Sequence, residues 1–316
     1  MTGADEAVRR FADRLDQLSP PPAPIGVAVS GGPDSLALLW LAHTARPGGI
    51  EAATVDHGLR PESADEAGAV AALCQQLGIP HRILTVAWDE KPDANIQAEA
   101  RERRYALLAD WAQERGLTAV ATAHHADDQA ETLLMRLARG SGLSGLAGVR
   151  PSRPLAEGVM LIRPLLDWRK AELVALVEAA GWTAIDDPAN RDPRHDRSRV
   201  RAWLEGSELD VDRLARSAAA LGDVQEALDW TVARLSKERI TVTELGLSVD
   251  MDGLPNEIRR RILLVAMAKL DAPTPRGPEL MRAMEVLEKG ETATLSGLKM
   301  RGGTRWTLSR EGPRRN

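Results

Sequence analysis

Apolar residues recur along the first two thirds of the chain in short runs of small and β-branched residues, separated by longer stretches with helical spacing. IGVAVS (25–30) is apolar on both faces, the pattern of a strand buried inside a parallel sheet. IEAATV (50–55), HRILTV (81–86) and TAVATA (118–123) repeat it. The intervening spacing predicts helices over 35–45, 63–77, 96–115 and 127–139. Strand and helix alternating at this interval predict an α/β fold, a doubly wound and mainly parallel sheet with helices on both faces. Ahead of the first strand, Val8, Phe11, Leu15 and Leu18 fall on one face of a helix, and PPPAP (20–24) forms a stiff connector.

Beyond residue 204 the helical segments (211–234, 257–270 and 278–288) cease to alternate with strands, so the chain divides into 1–204 and a smaller, mostly helical module over 205–316. The final TLSGLKMRGGTRWTLSRE alternates and turns on Gly302-Gly303, which predicts a small hairpin. A length of 316 residues suits about two domains of roughly 150 residues. No apolar run approaches the roughly 20 residues that cross a bilayer. The first eighteen residues carry four acidic groups, unlike a cleavable signal peptide, so a soluble, cytoplasmic protein without a membrane partner is expected. The one cysteine, Cys74, excludes an internal disulfide framework, a cysteine-only zinc site and two-cysteine redox chemistry. Net charge is −5, but residues 256–316 hold thirteen Lys or Arg against seven Asp or Glu. That basic end is suited to a polyanion, or it is a solvated face.

In a doubly wound sheet ligands collect at the carboxyl ends of the strands. The loop after the first strand reads Ser30-Gly31-Gly32-Pro33-Asp34-Ser35. Two glycines let the backbone approach a ligand, the following helix presents its positive end, and two hydroxyls add donors: a phosphate cradle. No Gly-Lys pair occurs in the chain, so this is not a Walker loop. Asp34 sets a negative charge beside the phosphates, tolerable chiefly when Mg2+ bridges them. A tight Gly-Gly-Pro turn with Asp34 or Ser35 capping a helix is the competing reading. A second glycine cluster, 140–145, matches G-x-G-x-x-G but follows a helix rather than a strand, so 139–149 is expected to be a flexible loop at the rim of the site.

After the fourth strand comes His124-His125-Ala126-Asp127-Asp128-Gln129-Ala130-Glu131. Asp128 and Glu131 are three apart and His124 is four before Asp128, so an early helix start would place all three on one face, able to bind a cationic substrate or orient an amine. Capping by Asp127, with acids at the positive end of the helix, is the structural alternative. Zinc fits poorly, because the histidines are adjacent and no third ligand is evident.

Ser30 to Ser35 resembles the loop of the N-type ATP pyrophosphatases of the PP-loop superfamily. Within it, Val55-Asp56-His57-Gly58-Leu59-Arg60, Arg101 to Tyr105, HHADDQAETLLMRLARGSGLSGLAG, Arg163-Pro164-Leu165-Leu166, Asp187-Pro188 and Asn190 resemble the tRNA(Ile)-lysidine synthetases over residues 25–201. The resemblance implies an ATP-pyrophosphatase catalytic domain at 1–204 and a basic, tRNA-binding appendage at 205–316. It also implies ATP with Mg2+ and, as partners, L-lysine and an isoleucine tRNA with a CAU anticodon. ATP adenylates the C2 oxygen of the wobble cytidine, and lysine then displaces AMP. On that basis Ser30, Gly31, Gly32, Pro33, Asp34 and Ser35 hold ATP, Asp34 holds Mg2+, Asp128 and Glu131 bind lysine, and Asp34, His124, Asp128 and Arg197 serve catalysis, with the general base open. In 196–201 the family pattern is Arg-Asn-x-Ile-Arg; Ser198 replaces the asparagine and Val200 the isoleucine, while Arg197 and Arg201 are kept, four apart. Arg259, Arg260, Arg261, Arg301, Arg305 and Arg310 are the candidates for gripping the tRNA stem. Long members carry a further C-terminal domain that this chain is expected to lack. The alternatives are a thiolase or amidotransferase on the same loop, or a non-catalytic nucleotide sensor. A single cysteine and the lack of a glutaminase nucleophile motif count against the first two, and the histidine-acid cluster against the third.

Overall fold

A computed structural model describes residues 3–88, 96–185 and 196–310. By packing, the described chain falls into two units, Met1–Gly222 and Asp223–Asn316. The first opens with α1 (Gly3–Leu18), which buries Phe11 and Leu15. It continues through β1 (Ile25–Ala28), α2 (Pro33–Ala45), β2 (Ile50–Asp56), α3 (Ser63–Gln76), β3 (His81–Thr85), α4 (Ile96–Glu114), β4 (Ala119–Ala121) and α5 (Ala126–Ala138). Then follow α6 (Leu143–Leu146), β5 (Ser152–Ala156), β6 (Val159–Ile162), α7 (Lys170–Ala179), α8 (Asp196–Glu205) and α9 (Val211–Arg239).

The first unit's six strands lie in the order β3-β2-β1-β4-β6-β5. All pairings are parallel except β5 with β6, which adds an antiparallel edge. Successive residues of the central strands face opposite layers, as strand geometry requires. Ile25, Val27, Ile50, Ala52, Ala119 and Ala121 pack with α1, α2, α3 and α7, whereas Ala53, Val120 and Leu161 pack with Leu108, Trp111 and Ala112 of α4. Gly26 is required at its position: a Cβ there would stand 2.6 Å from the Trp111 ring.

The second unit takes the end of α9 and adds β7 (Ile240–Thr243), β8 (Gly246–Asp250), α10 (Asn256–Lys269), α11 (Gly277–Glu288), β9 (Thr292–Leu295), β10 (Leu298–Arg301) and β11 (Arg305–Arg310). The expected hairpin is β10 with β11, paired Leu298↔Arg310 through Arg301↔Thr307. It belongs to a five-stranded antiparallel sheet, β7-β8-β11-β10-β9, so the module holds a sheet besides its helices. Met300, Trp306 and Val249 from that sheet bury against Ile262, Leu263 and Leu287. The alternation of elements stops at 204, but packing keeps 211–222 with the first unit. Ala218 is fully buried and lies where a Cβ on Gly148 would meet it at 3.3 Å.

The 139–149 segment is tied to α5 and carries the short helix α6. The Gln129 amide donates to the Val149 carbonyl at 2.8 Å and accepts from the Val149 N–H at 2.6 Å, while Arg136 donates to the Gly145 carbonyl. Among the described residues, no helix is long and apolar enough to cross a membrane.

Candidate active site

The sheet reverses its winding between β1 and β4, so the loops after these two strands open side by side, at the position where doubly wound sheets bind ligands. Ser30 to Ser35 follow β1. The Ser35 hydroxyl donates to the Gly32 carbonyl at 2.9 Å and accepts from the Ser30 N–H at 3.1 Å, which closes the loop on itself. Gly31 adopts φ +84°, and a Cβ there would meet Ile185 at 2.3 Å. Pro33 starts α2, leaving the first amides of that helix free of intrahelical acceptors. Ser30, Gly32, Pro33, Asp34 and Ser35 line one cleft of about 350 Å³ together with His57, Arg101, Arg104, His124, Asp128, Lys170 and Arg197. Gly31 contributes backbone shape instead, its carbonyl accepting from the Ile185 N–H at 2.9 Å. In the second motif Asp56 sets the turn, accepting from the Gly58 N–H at 2.9 Å and the Ser63 hydroxyl at 2.7 Å.

After β4 the helix begins at Ala126, so His124 lies outside it and shares the cleft, not a helical face, with Asp128. Its Nδ1 is 3.0 Å from the Thr122 hydroxyl. Burial pushes the His124 imidazole down to about 3, helped by Arg163, Arg101 and Arg104 and opposed by Asp128. It is therefore neutral near pH 7.

His125 was missed by reasoning from helical spacing, which favours His124. It caps α5, is 2% exposed, and stands 3.5 Å from Asp34, 3.5 Å from Asp127 and 3.6 Å from Asp128. Burial lowers its pKa, but contacts with Asp127 and Asp34 and the charges of Asp128 and Asp34 outweigh this and push it up to about 10. The cluster is thus one buried imidazolium among three carboxylates. Asp128 is held below the usual carboxylate range despite burial, through His125, His124 and Arg197. Adjacent histidines at a strand end were the only signal in the sequence.

Glu131, 1% exposed, does not face this cleft. It lines a neighbouring cavity of about 330 Å³ with Asp127, Arg169, Lys170, Arg201, Glu205, Asp210 and Asp212. Arg201 donates to its Oε1 at 2.7 Å, and Arg197 Nε stands 3.4 Å from Oε2. Burial nevertheless holds the Glu131 pKa above its ordinary value. Asp127 and Lys170 belong to the second cavity, and Lys170 lines both. Asp187, Pro188 and Asn190 lie outside the described residues.

Of the six arginines of the basic end, Arg260 and Arg261 pair with Glu257, Arg259 with Glu288, Arg305 with Asp250 and Arg310 with Asp271. The charge surplus of the segment is therefore largely interleaved with acids rather than a bare basic stripe.

Residues 6–206 match the family model of the PP-loop domain. A tRNA(Ile)-lysidine synthase of Zymomonas mobilis is 45% identical over 303 residues, 94% of this chain and 91% of that protein. Another from Novosphingobium aromaticivorans is 44% identical over 321 residues, 98% of this chain and 94% of that protein. The chain belongs to the tRNA(Ile)-lysidine synthase family. Its fold is also that of the U34-tRNA thiolase NcsA from Methanococcus maripaludis, with a TM-score of 0.59 at 22% identity over 70% of this chain and 78% of that one. The motifs of the family thus fall into a single sheet edge, with Ser30, Gly32 to Ser35, His57, Arg101, Arg104, His124 and Asp128 around one cleft and Asp127 and Glu131 with Arg201 next door.

Proposed function

We propose that this protein ligates L-lysine to C2 of the wobble cytidine in an isoleucine tRNA with a CAU anticodon. ATP transfers AMP to the cytidine C2 oxygen and releases pyrophosphate. The side-chain amine of lysine then attacks C2, and the oxygen departs on AMP. The product, lysidine, pairs with A, so the codon read changes from AUG to AUA. The observation that carries this reading is the lysine-free phosphate loop opening into the same cleft as His124, Asp128 and Arg197, beside an acidic cavity. An anticodon loop presents unstacked bases, so no duplex need be opened to fill such a cleft.

Ser30 to Ser35 would cradle the phosphates of ATP with amides and hydroxyls. Asp34 fits Mg2+: its Oδ1 is buried without a hydrogen-bond partner at the mouth of the loop. Among the described residues, no cluster of three or more His, Cys, Asp or Glu forms a protein-only metal cage, so the ion would share Asp34 with phosphate oxygens, the coordination Mg2+ favours. Held there, Mg2+ would supply positive charge against the phosphates. Asp128 and Glu131 attract the lysine ammonium, Arg197 supports the adenylated base, and neutral His124 offers a hydrogen-bonding ring without adding charge to the cleft. Residues 205–316 serve as the tRNA-binding appendage, and the reaction runs in the cytoplasm, where its tRNA resides. Cys74 offers no competing sulfur chemistry: it is buried, and burial pushes its thiol up to about 11.

Incubation with ATP, labelled lysine and the CAU isoleucine tRNA tests this directly. Lysine joined to RNA with one AMP per lysine is expected, and none on a tRNA with uridine at the wobble position. ADP and orthophosphate as products would overturn the scheme.

A further inference from the structure

Four guanidinium groups gather on Tyr105. Those of Arg101, Arg104 and Arg153 stand 5.1, 5.1 and 4.8 Å from the ring centroid. Arg163 lies beside the phenol hydroxyl, which makes no hydrogen bond of normal geometry. Other arginine clusters here are laced with acid, as Arg197 and Arg201 are with Glu131 and Arg260 and Arg261 are with Glu257. Among the described residues, none of the four around Tyr105 makes an ion pair with a carboxylate.

Arg163 is the sharpest case. It is 3% exposed, its Nε has no partner, and its Nη1 donates to the Arg150 carbonyl at 2.5 Å. Burial and neighbouring arginines hold Arg163 and Arg101 below the ordinary arginine range. Burial would raise the Tyr105 hydroxyl, yet Arg104, Arg101 and Arg163 bring it below its usual value. Unneutralised like charges packed around one ring are costly, and an incoming anion relieves that cost.

The position of the cluster selects the anion. Arg101 and Arg104 face the cleft, but Arg153 lies on the edge strand β5 and Arg163 directly follows β6. With the strand order β1-β4-β6-β5, the β5 end is three strand spacings from the phosphate loop, roughly 14 Å. Neither Arg153 nor Arg163 lines the cleft that holds Ser30 to Ser35, so a polyanion that also runs outside the cleft, such as RNA entering along the sheet edge, suits the whole cluster better than pyrophosphate. Guanidinium forks suit phosphodiester oxygens, and such contacts position a strand while the base enters its pocket.

We infer that Arg101 and Arg153, organised on Tyr105 with Arg163 buried beside its hydroxyl, bind a backbone phosphodiester of the RNA next to the nucleotide that is modified. This rests on the lysidine-forming reading. The alternative source of the same phosphate chemistry, ATP, is separated by experiment.

The full chain is titrated with an anticodon stem-loop bearing CAU over a range of salt, and separately with a non-hydrolysable ATP analogue. Arg153→Gln should weaken RNA binding about tenfold and reduce the slope of log Kd against log salt by about 0.7, one single-strand phosphate contact, with affinity for the analogue unchanged. A neutral methylphosphonate replacing each phosphodiester beside the wobble nucleotide in turn should cost wild type a similar factor at one position and cost Arg153→Gln nothing further there. An unchanged salt slope overturns the inference, as does equal loss of analogue affinity, which would assign the arginines to the nucleotide. If Arg153→Gln does not fold, the methylphosphonate series on wild type decides: no sensitive position overturns the inference. A wild type that joins lysine to RNA but lacks a sensitive phosphate loses this inference alone. A wild type that forms no lysine-RNA product loses the underlying reading as well.

Discussion

His125 Nε2 stands 3.5 Å from Asp34 Oδ2, which joins the first residues of the fourth-strand loop to the phosphate loop after β1. The imidazole also lies within 3.6 Å of Asp127 and Asp128, so one buried cation holds three carboxylates in place. Removing one member of a buried charge cluster leaves the others uncompensated, at a cost of about 3–5 kcal/mol. His125→Leu is therefore expected to lower the urea midpoint strongly and to cut AMP formation, whereas the same change at His124 should spare more stability. Equal midpoints for His125→Leu and wild type would remove the cluster from the stability of the fold.

Asp34 carries a buried Oδ1 without a partner at the phosphate loop. Asp34→Asn keeps the shape and removes the charge that would attract Mg2+. Pyrophosphate release should fall by about 10²-fold or more, the scale of losing one electrostatic contact to a developing charge. Binding of the tRNA should stay near wild type by filter retention. Unaltered pyrophosphate release would take the metal role from Asp34.

Glu131 sits between Arg201 and Arg197 with almost no exposure. Glu131→Gln leaves Arg201, which lines the second cavity, and the neighbouring Arg197 without their counter-charge, which repels a lysine ammonium. The lysine KM is expected to rise about tenfold, roughly 1.4 kcal/mol, with a smaller change in the ATP KM. Equal effects on both substrates would mark a shared structural role.

The central strands and their helices were legible because β1, β2 and β4 are apolar on both faces and are followed by helical spacing that the structure matches to within two residues or so at most ends. Strands β5 and β6 were not. VMLI spans four residues, too short to separate strand from helix by period, and SRPLA carries a proline and only partly buried side chains at the sheet edge. The edge strand β7, ITVT, is largely exposed and gives no buried face to read. At the site, the phosphate loop followed from its glycines and the helix behind it. The choice between His124 and His125 did not, because it turns on whether the helix starts at Ala126. One residue earlier or later exchanges which imidazole is turned into the acids. The split of Asp128 and Glu131 between two cavities depends on where α8 places Arg197 and Arg201, a contact across some seventy residues of chain that no local pattern encodes.

His124 gives stability a pH dependence with a definite sign. Its folded-state value near 3 lies below the 6.5 of the free side chain, so between these values the unfolded chain binds a proton that the folded chain refuses. Stability therefore falls as pH drops from 6.5 towards 3, with a contribution of up to one proton to the slope. The groups that set this are burial, Arg163, Arg101 and Arg104 on one side and Asp128 on the other. His124→Asn keeps a polar side chain facing Thr122 but does not titrate. Subtracting its urea unfolding free energies from those of wild type across that range isolates the term: the difference should slope against wild type with falling pH and flatten above 6.5. A flat difference throughout would mean that His124 is protonated as readily in the folded chain as in the unfolded one, so that burial and the neighbouring arginines do not depress it.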